Sequence, residues 1–127
     1  MNRWPDPDHA LQALARIVSG CEGVQIAMLA SRDGRPFVWR SAVAGDSGKL
    51  AAMTSSLTAL GRTVLRELNA GELDHLLVEG QDGKLVLVGV PGLDGLLVLA
   101  VLAERRARLG LVLGHARMCA RALAPGA

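Results

Sequence analysis

The chain's 127 residues suffice for one well-buried core and are too few for two. Half of the residues are hydrophobic but only 2% are aromatic, so the core is aliphatic and a base-stacking platform would have to be made from Trp4, Phe37 and Trp39, which argues against nucleic-acid stacking. The net charge of +2 provides no strong field for a polyanion, and the arginines near the C-terminus (Arg105, Arg106, Arg108, Arg117 and Arg121) read as the solvated face of a helix.

At the N-terminus, Asp6 supplies a capping carboxylate ahead of Pro7, whose missing N–H is harmless in a first helical turn. Leu11, Leu14, Ala15 and Val18 then hold one apolar face until Gly20. Residues 24–30 and 36–43 are β-rich runs around Asp33-Gly34, a pair suited to a tight hairpin, which predicts two antiparallel neighbours. Pro36 lacks a ladder donor and places the second strand at a sheet edge.

The longest helical pattern follows, over residues 46–68, with Asp46 or Ser47 as its cap. Leu50, Met53, Leu57, Leu60, Val64 and Leu68 recur at spacings of three and four and form an apolar stripe expected to cover the sheet. Roughly opposite lie Ala52, Ser56, Ala59 and Thr63, small residues where an exposed helix would ordinarily carry Glu and Lys; they suit a close-packed seam. Gly61 costs about 1 kcal/mol relative to Ala in a helix interior, which points to close packing there as compensation.

Three more strands are expected at 73–79, 84–90 and 96–103, joined by turns at Gln81-Asp82-Gly83 and at 91–95. The run from 85 to 103 is nearly all apolar, but Pro91, Gly92, Asp94 and Gly95 break it at the centre, which argues for two buried strands and against a membrane span. The last strand is apolar on both faces and belongs in mid-sheet, whereas Asp74, His75 and Glu79 place the first of the three at the other edge. A final helix, from about 105 to 123, puts Leu109, Val112, Leu113, Ala116, Cys119 and Leu123 on one side. The order α-β-β-α-β-β-β-α describes an α/β (α+β) three-layer sandwich, a five-stranded antiparallel sheet with helices on both faces. One domain over 1–127 is expected, with flexible ends at 1–5 and 124–127.

Catalytic motifs are sought without success. Gly48-Lys49 fails as a phosphate loop, because Val43 stands where Gly is needed and Leu50 where Ser or Thr is needed. Gly89, Gly92 and Gly95 do not make a dinucleotide fingerprint. His9, His75 and His115 fall in three different elements, and neither they nor Cys21 and Cys119 show metal-ligand spacing. No G-x-S-x-G elbow occurs. The expectation is a non-enzyme with no catalytic residue, cofactor or metal. The opening MNRWPDPD lacks the apolar run of a signal peptide, so a cytoplasmic location with both cysteines as reduced core thiols is expected.

The helix closing on Gly20-Cys21-Glu22-Gly23-Val24, the Ser31-Arg32-Asp33-Gly34 hairpin, the Leu50-Ala51-Ala52-Met53 to Leu60-Gly61 helix, the Val78-Glu79-Gly80 strand end and Leu109-Gly110-Leu111-Val112 occur in an order that resembles the roadblock (dynein light chain) family. The bacterial branch of that family includes the gliding-protein partner of a small Ras-like GTPase. Arg105-Arg106 departs from the acidic or Asn caps common before the last helix of related sequences.

The resemblance implies a profilin-like or longin-like fold. It also implies a homodimer in which the central helix packs on its symmetry mate and an edge strand extends the sheet across the two-fold axis. Ala52, Ser56, Ala59, Thr63, Asp74, Leu76 and Val78 are then the candidate dimer residues, and Ser55, Arg62 and Arg66 the candidate contacts to a partner. The function it implies is binding and regulation of a small Ras-like GTPase, as activator or scaffold, with no nucleic acid and no membrane insertion. Two other readings are a scaffold subunit of a larger signalling complex without GTPase contact, and a small-ligand sensor or enzyme with a pocket beside the sheet.

Overall fold

The computed structural model describes residues 4–126. Helix α1 spans Pro7–Gly20, strands β1 and β2 span Val24–Ser31 and Pro36–Ser41, and helix α2 spans Ser47–Glu67. Strands β3 (His75–Glu79), β4 (Gly83–Gly89) and β5 (Leu97–Glu104) follow, and helix α3 covers Leu109–Ala122. The expected element order holds, and all neighbouring strands pair antiparallel in the order β2-β1-β5-β4-β3. The edges are β2 and β3, as Pro36 and the polar ends of β3 imply. Strand β5, apolar on both faces, takes the middle.

Capping sets the first two helices. The amide of His9 donates to Asp6 Oδ2 at 3.1 Å, and that of Lys49 donates to Asp46 Oδ1 at 3.1 Å. The β1–β2 turn closes through Gly34 N–H to the Ser31 carbonyl at 3.0 Å, with Gly34 at φ +85°, where a side chain would be strained. Of the ends expected to be flexible, residues 1–3 and 127 lie outside the described residues. Trp4 and Ala124 instead pack on the core, Trp4 edge-on to Phe37 with ring centroids 5.0 Å apart.

The two faces of the sheet are covered unequally. On one, Leu14 and Ile17 of α1 and Val112 and Ala116 of α3 enclose the inward residues of β5, β4 and β1, among them Leu97, Leu99, Val101, Val86 and Leu29. On the other, α2 lies alone over Ile26, Met28 and Ala30 of β1 and over Val98, Ala100 and Leu87. Five strands span roughly 20 Å, whereas a helix with its side chains is about 10 Å across. The β3–β4 side is therefore thinly covered, leaving Leu76, Leu85 and Leu102 half-buried and Val78 exposed.

The orientation of α2 corrects the expectation drawn from its periodicity. Its sheet-facing side is Ala51, Thr54 and Thr58, all buried. Of the Leu and Met stripe, only Leu50 and Leu57 reach the core, while Met53, Leu60, Val64 and Leu68 are exposed, Leu60 at 61% and Leu68 at 70%. The strands already project Leu, Met and Val toward α2, so small and β-branched residues let the helix axis approach. A Cβ built at Gly61 would meet Leu73 and Leu76 at 3.6–3.8 Å, ordinary contact distances, so close packing is not what requires glycine there.

The last helix also begins later than expected, at Leu109 rather than near 105. Strand β5 runs on to Glu104, whose amide donates to the Gly23 carbonyl at 2.7 Å, and a turn through Arg105 and Arg106 separates strand from helix. Gly23, at φ +88°, lies against Ala107 so closely that a Cβ would stand 2.9 Å from the alanine methyl. Lys84 fastens this turn from below: its Nζ donates to the carbonyls of Arg105 at 3.0 Å and Ala107 at 2.6 Å, with Glu79 Oε2 at 3.7 Å. At 7% exposure, Lys84 is buried because its charge is met by carbonyls and one carboxylate.

Replacing Lys84 by Met keeps the apolar stem and leaves two carbonyls unmet, so Lys84→Met is expected to cost about 1–3 kcal/mol in urea unfolding. Burial pushes the Cys119 thiol up to about 11, against a smaller opposing pull from Arg16. A thiol whose folded value lies above its unfolded one contributes stability that is full below the unfolded value and is lost as pH rises through the folded one. The stability difference between the wild type and Cys119→Ala should therefore shift against the wild type between pH 9 and pH 11, and native Cys119 should react with thiol reagents only as fast as the chain opens.

Candidate interaction surface

Two surfaces meet along α2. The first is apolar. Met53, Leu60 and Val64 stand outward on the helix, and Leu57 packs on the buried cluster of Leu87, Val98 and Ala100, against which Leu76 and Leu85 also pack. Continuing across the thinly covered side, Leu76 and Val78 of β3 bring the apolar surface to the edge of the sheet. Strand β3 pairs with β4 on one side only, so its outer N–H and C=O groups have no strand beside them. An apolar patch of this kind, running into an open strand edge, is a candidate protein-binding surface.

The sequence-derived dimer residues fall around this patch unequally. Ala52, Ser56, Ala59 and Thr63 are exposed on the outer side of α2, as a seam requires, and Thr63 Oγ1 donates to the Ala59 carbonyl at 3.0 Å. Leu76 and Val78 share the face of β3 that α2 overlies. Asp74 precedes the strand, and its carboxylate is held within the chain by Arg117 of α3 and by His75 Nδ1 at 2.8 Å. The residues that sequence reasoning assigned to the sheet instead, Met53, Leu60 and Val64, are the apolar core of the patch. Their spacing was legible; the side they serve was not.

The second surface is cationic and lies on the flank of α2 turned away from the patch. The hydroxyl of Ser55 donates to the Arg32 carbonyl and latches α2 to the β1–β2 turn. Arg62 and Arg66 line an open groove of about 920 Å³ between the C-terminal half of α2 and the β4–β5 loop. The structure adds Arg32 to them, a residue whose turn was legible in Ser31-Arg32-Asp33-Gly34 but whose approach across 62 positions to Asp94 was not. Arg32 donates to the Asp94 carbonyl at 2.6 Å, and the Arg62 guanidinium lies against Gly95, where a Cβ would come within 2.2 Å of it. Arg66 lies 3.5 Å from Thr63 Oγ1.

Among the described residues, no three His, Cys, Asp or Glu side chains gather as a metal site would require. Nor is any helix long and apolar enough to cross a membrane. What the two surfaces offer is association: hydrophobic burial along α2 and β3, and guanidinium donors beside it.

Comparison with solved structures finds the same architecture. A Roadblock/LC7 domain from Streptomyces avermitilis superposes with a TM-score of 0.79, at 23% identity over 87% of this chain and 91% of that one. The gliding protein MglB from Thermus thermophilus gives 0.83 at 18% identity, over 93% and 87% of the two chains. Profilin II of Acanthamoeba castellanii gives 0.55 at 14% identity, over 89% and 94%, which extends the fold to the profilins. No curated protein matches the chain in sequence. The sequence profile of the Roadblock/LC7 domain matches residues 12–102, from α1 through most of β5 and so across both surfaces, and the chain belongs to that family.

Proposed function

We propose that the protein is a homodimeric interaction protein that binds and regulates a small Ras-like GTPase. The observation that carries the dimer is the exposed apolar surface of Met53, Leu60 and Val64 on α2, beside Leu76 and Val78 at the open edge of β3. A second copy of the chain answers both of its features at once. Antiparallel pairing of β3 with its symmetry mate satisfies the strand edge, and the mate's α2 supplies an apolar stripe for the side of the sheet that one helix leaves bare. Such a contact is isologous, because strand and helix are each opposed to themselves.

Family membership and the likeness to a gliding protein support the regulatory part of the reading. The placement of Arg62 and Arg66 supports it as well. Both lie on the flank of α2 that faces the β4–β5 loop, outside the proposed seam, and stay accessible when the seam is closed. Regulation can then proceed by an arginine reaching the nucleotide phosphates or by ordering of the GTPase's own switch segments. Ser55, bonded to the Arg32 carbonyl, holds the β1–β2 turn beside Arg62 and Arg66.

Light scattering after size exclusion is expected to give twice the chain mass at micromolar concentration. Leu60→Glu places a charge in the seam and should weaken the dimer by roughly a hundredfold or more. Capture of Ras-like GTPases from the source genome, loaded with GDP or a GTP analogue, is expected to depend on the nucleotide. A monomer at every concentration contradicts the dimer, and capture of none of them in either state contradicts GTPase regulation and favours a scaffold.

A further inference from the structure

At the end of the sheet where the β1–β2 turn meets the β4–β5 loop, two recesses share one wall. The groove described above holds Arg32, Arg62 and Arg66. The neighbouring recess, of about 530 Å³, is mainly apolar, with Trp4, Phe37, Pro36 and Leu96 on its walls. Arg32 lines both. The site thus joins an apolar hollow with two aromatic rings to a cluster of guanidinium groups through a single side chain.

Arg32 and Arg62 reach the same short loop from opposite elements. Arg32 donates to the carbonyl of Asp94, and Arg62 rests on the adjoining Gly95, so two like charges stand over successive residues of one loop. Among the described residues, neither has a carboxylate within the 4.0 Å of an ion pair. Of the acids on the same walls, Asp33 is paired with Arg35 at 3.6 Å, while Glu72 and Asp94 flank the groove. Glycine at 95 is what admits Arg62: any side chain there would displace the guanidinium, and φ of +75° favours glycine as well.

We propose that these joined recesses bind a small aromatic phosphate, with its ring in the hollow walled by Trp4, Phe37 and Leu96 and its phosphoryl group at Arg32 and Arg62. The division of chemistry follows from the walls. Ring burial suits an apolar hollow with aromatic edges. A carboxylate's two oxygens are satisfied by one guanidinium fork, whereas the three terminal oxygens of a phosphoryl group can use the remaining donors of Arg32 and the fork of Arg62 together. This site is independent of the proposed dimer seam, which lies on the other flank of α2.

The test is a titration of the full-length protein, followed by ¹H–¹⁵N NMR, with four probes: 1-naphthyl phosphate, 1-naphthoate, 1-naphthol and inorganic phosphate. Naphthyl phosphate is expected to give saturable shifts at the amides of Arg32, Phe37 and Gly95, and to bind about tenfold or more tighter than each of the other three. Arg62→Ala should weaken it by about tenfold, and Arg62→Lys, which keeps the charge and loses the fork, should fall between. Both variants are compared only after their amide spectra show the fold intact, and Arg32→Ala provides the second probe if either fails. Absence of saturable shifts overturns the proposal, as does equal affinity for naphthol or naphthoate, or unchanged affinity in the arginine variants.

Discussion

A single helix cannot cover one face of a five-stranded sheet, and most of what is distinctive in this protein follows from that mismatch. On the α1 and α3 face two helices share the work and bury the inward apolar residues of β1, β4 and β5. On the other face α2 lies alone over Ile26, Met28 and Ala30, and its Leu57 gives β3 and β4 a partial cover that leaves Leu76 and Leu85 half-buried and Val78 exposed. At about 25 cal/mol per Å² of apolar surface, leaving Leu76, Val78, Leu85 and the outer stripe of α2 in water forgoes a substantial driving force. The proposed dimer would recover it. The monomer fold and the proposed dimer are therefore two consequences of one geometric fact.

The same fact accounts for the composition of α2. Because it must lie close on a sheet whose strands already provide the bulk, its buried face is Ala51, Thr54 and Thr58, and Met53, Leu60, Val64 and Leu68 are turned outward. On the opposite flank, Ser55 and Arg62 tie the helix to the loops at one end of the sheet, through the Arg32 carbonyl and Gly95. That end collects the arginines, while the seam remains apolar. Separating the two chemistries by half a helical turn lets one helix serve two kinds of contact.

Much of this was legible in the chain. The element order, both edge strands and the central place of β5 follow from period-two and period-3.6 patterns, from Pro36 and from the unbroken apolar run at 97–103. The candidate residues were less so. Periodicity finds an apolar stripe on α2 but says nothing about whether the sheet or another chain receives it, and here the familiar assumption was wrong. Lys84 and Arg32 illustrate a second limit. Lys84 reads as a surface lysine in a strand, and only the folding-back of the turn at 105–107 makes it a buried donor. Arg32 gains its place from the β4–β5 loop, far away in sequence. The late start of α3 has a similar origin, since the strand is prolonged by the bond from Glu104 N–H to the Gly23 carbonyl.

The central claim is that the open edge of β3 is closed by its own copy. Amide hydrogen exchange resolved by residue tests this most directly, because β2, the other edge strand of the same sheet, serves as an internal standard. The account predicts that the amides of β3 are strongly protected at high protein concentration and lose that protection on dilution, while those of β2 exchange at the same rate throughout. Outward amides of β3 that exchange as rapidly as those of β2 at every concentration would contradict it.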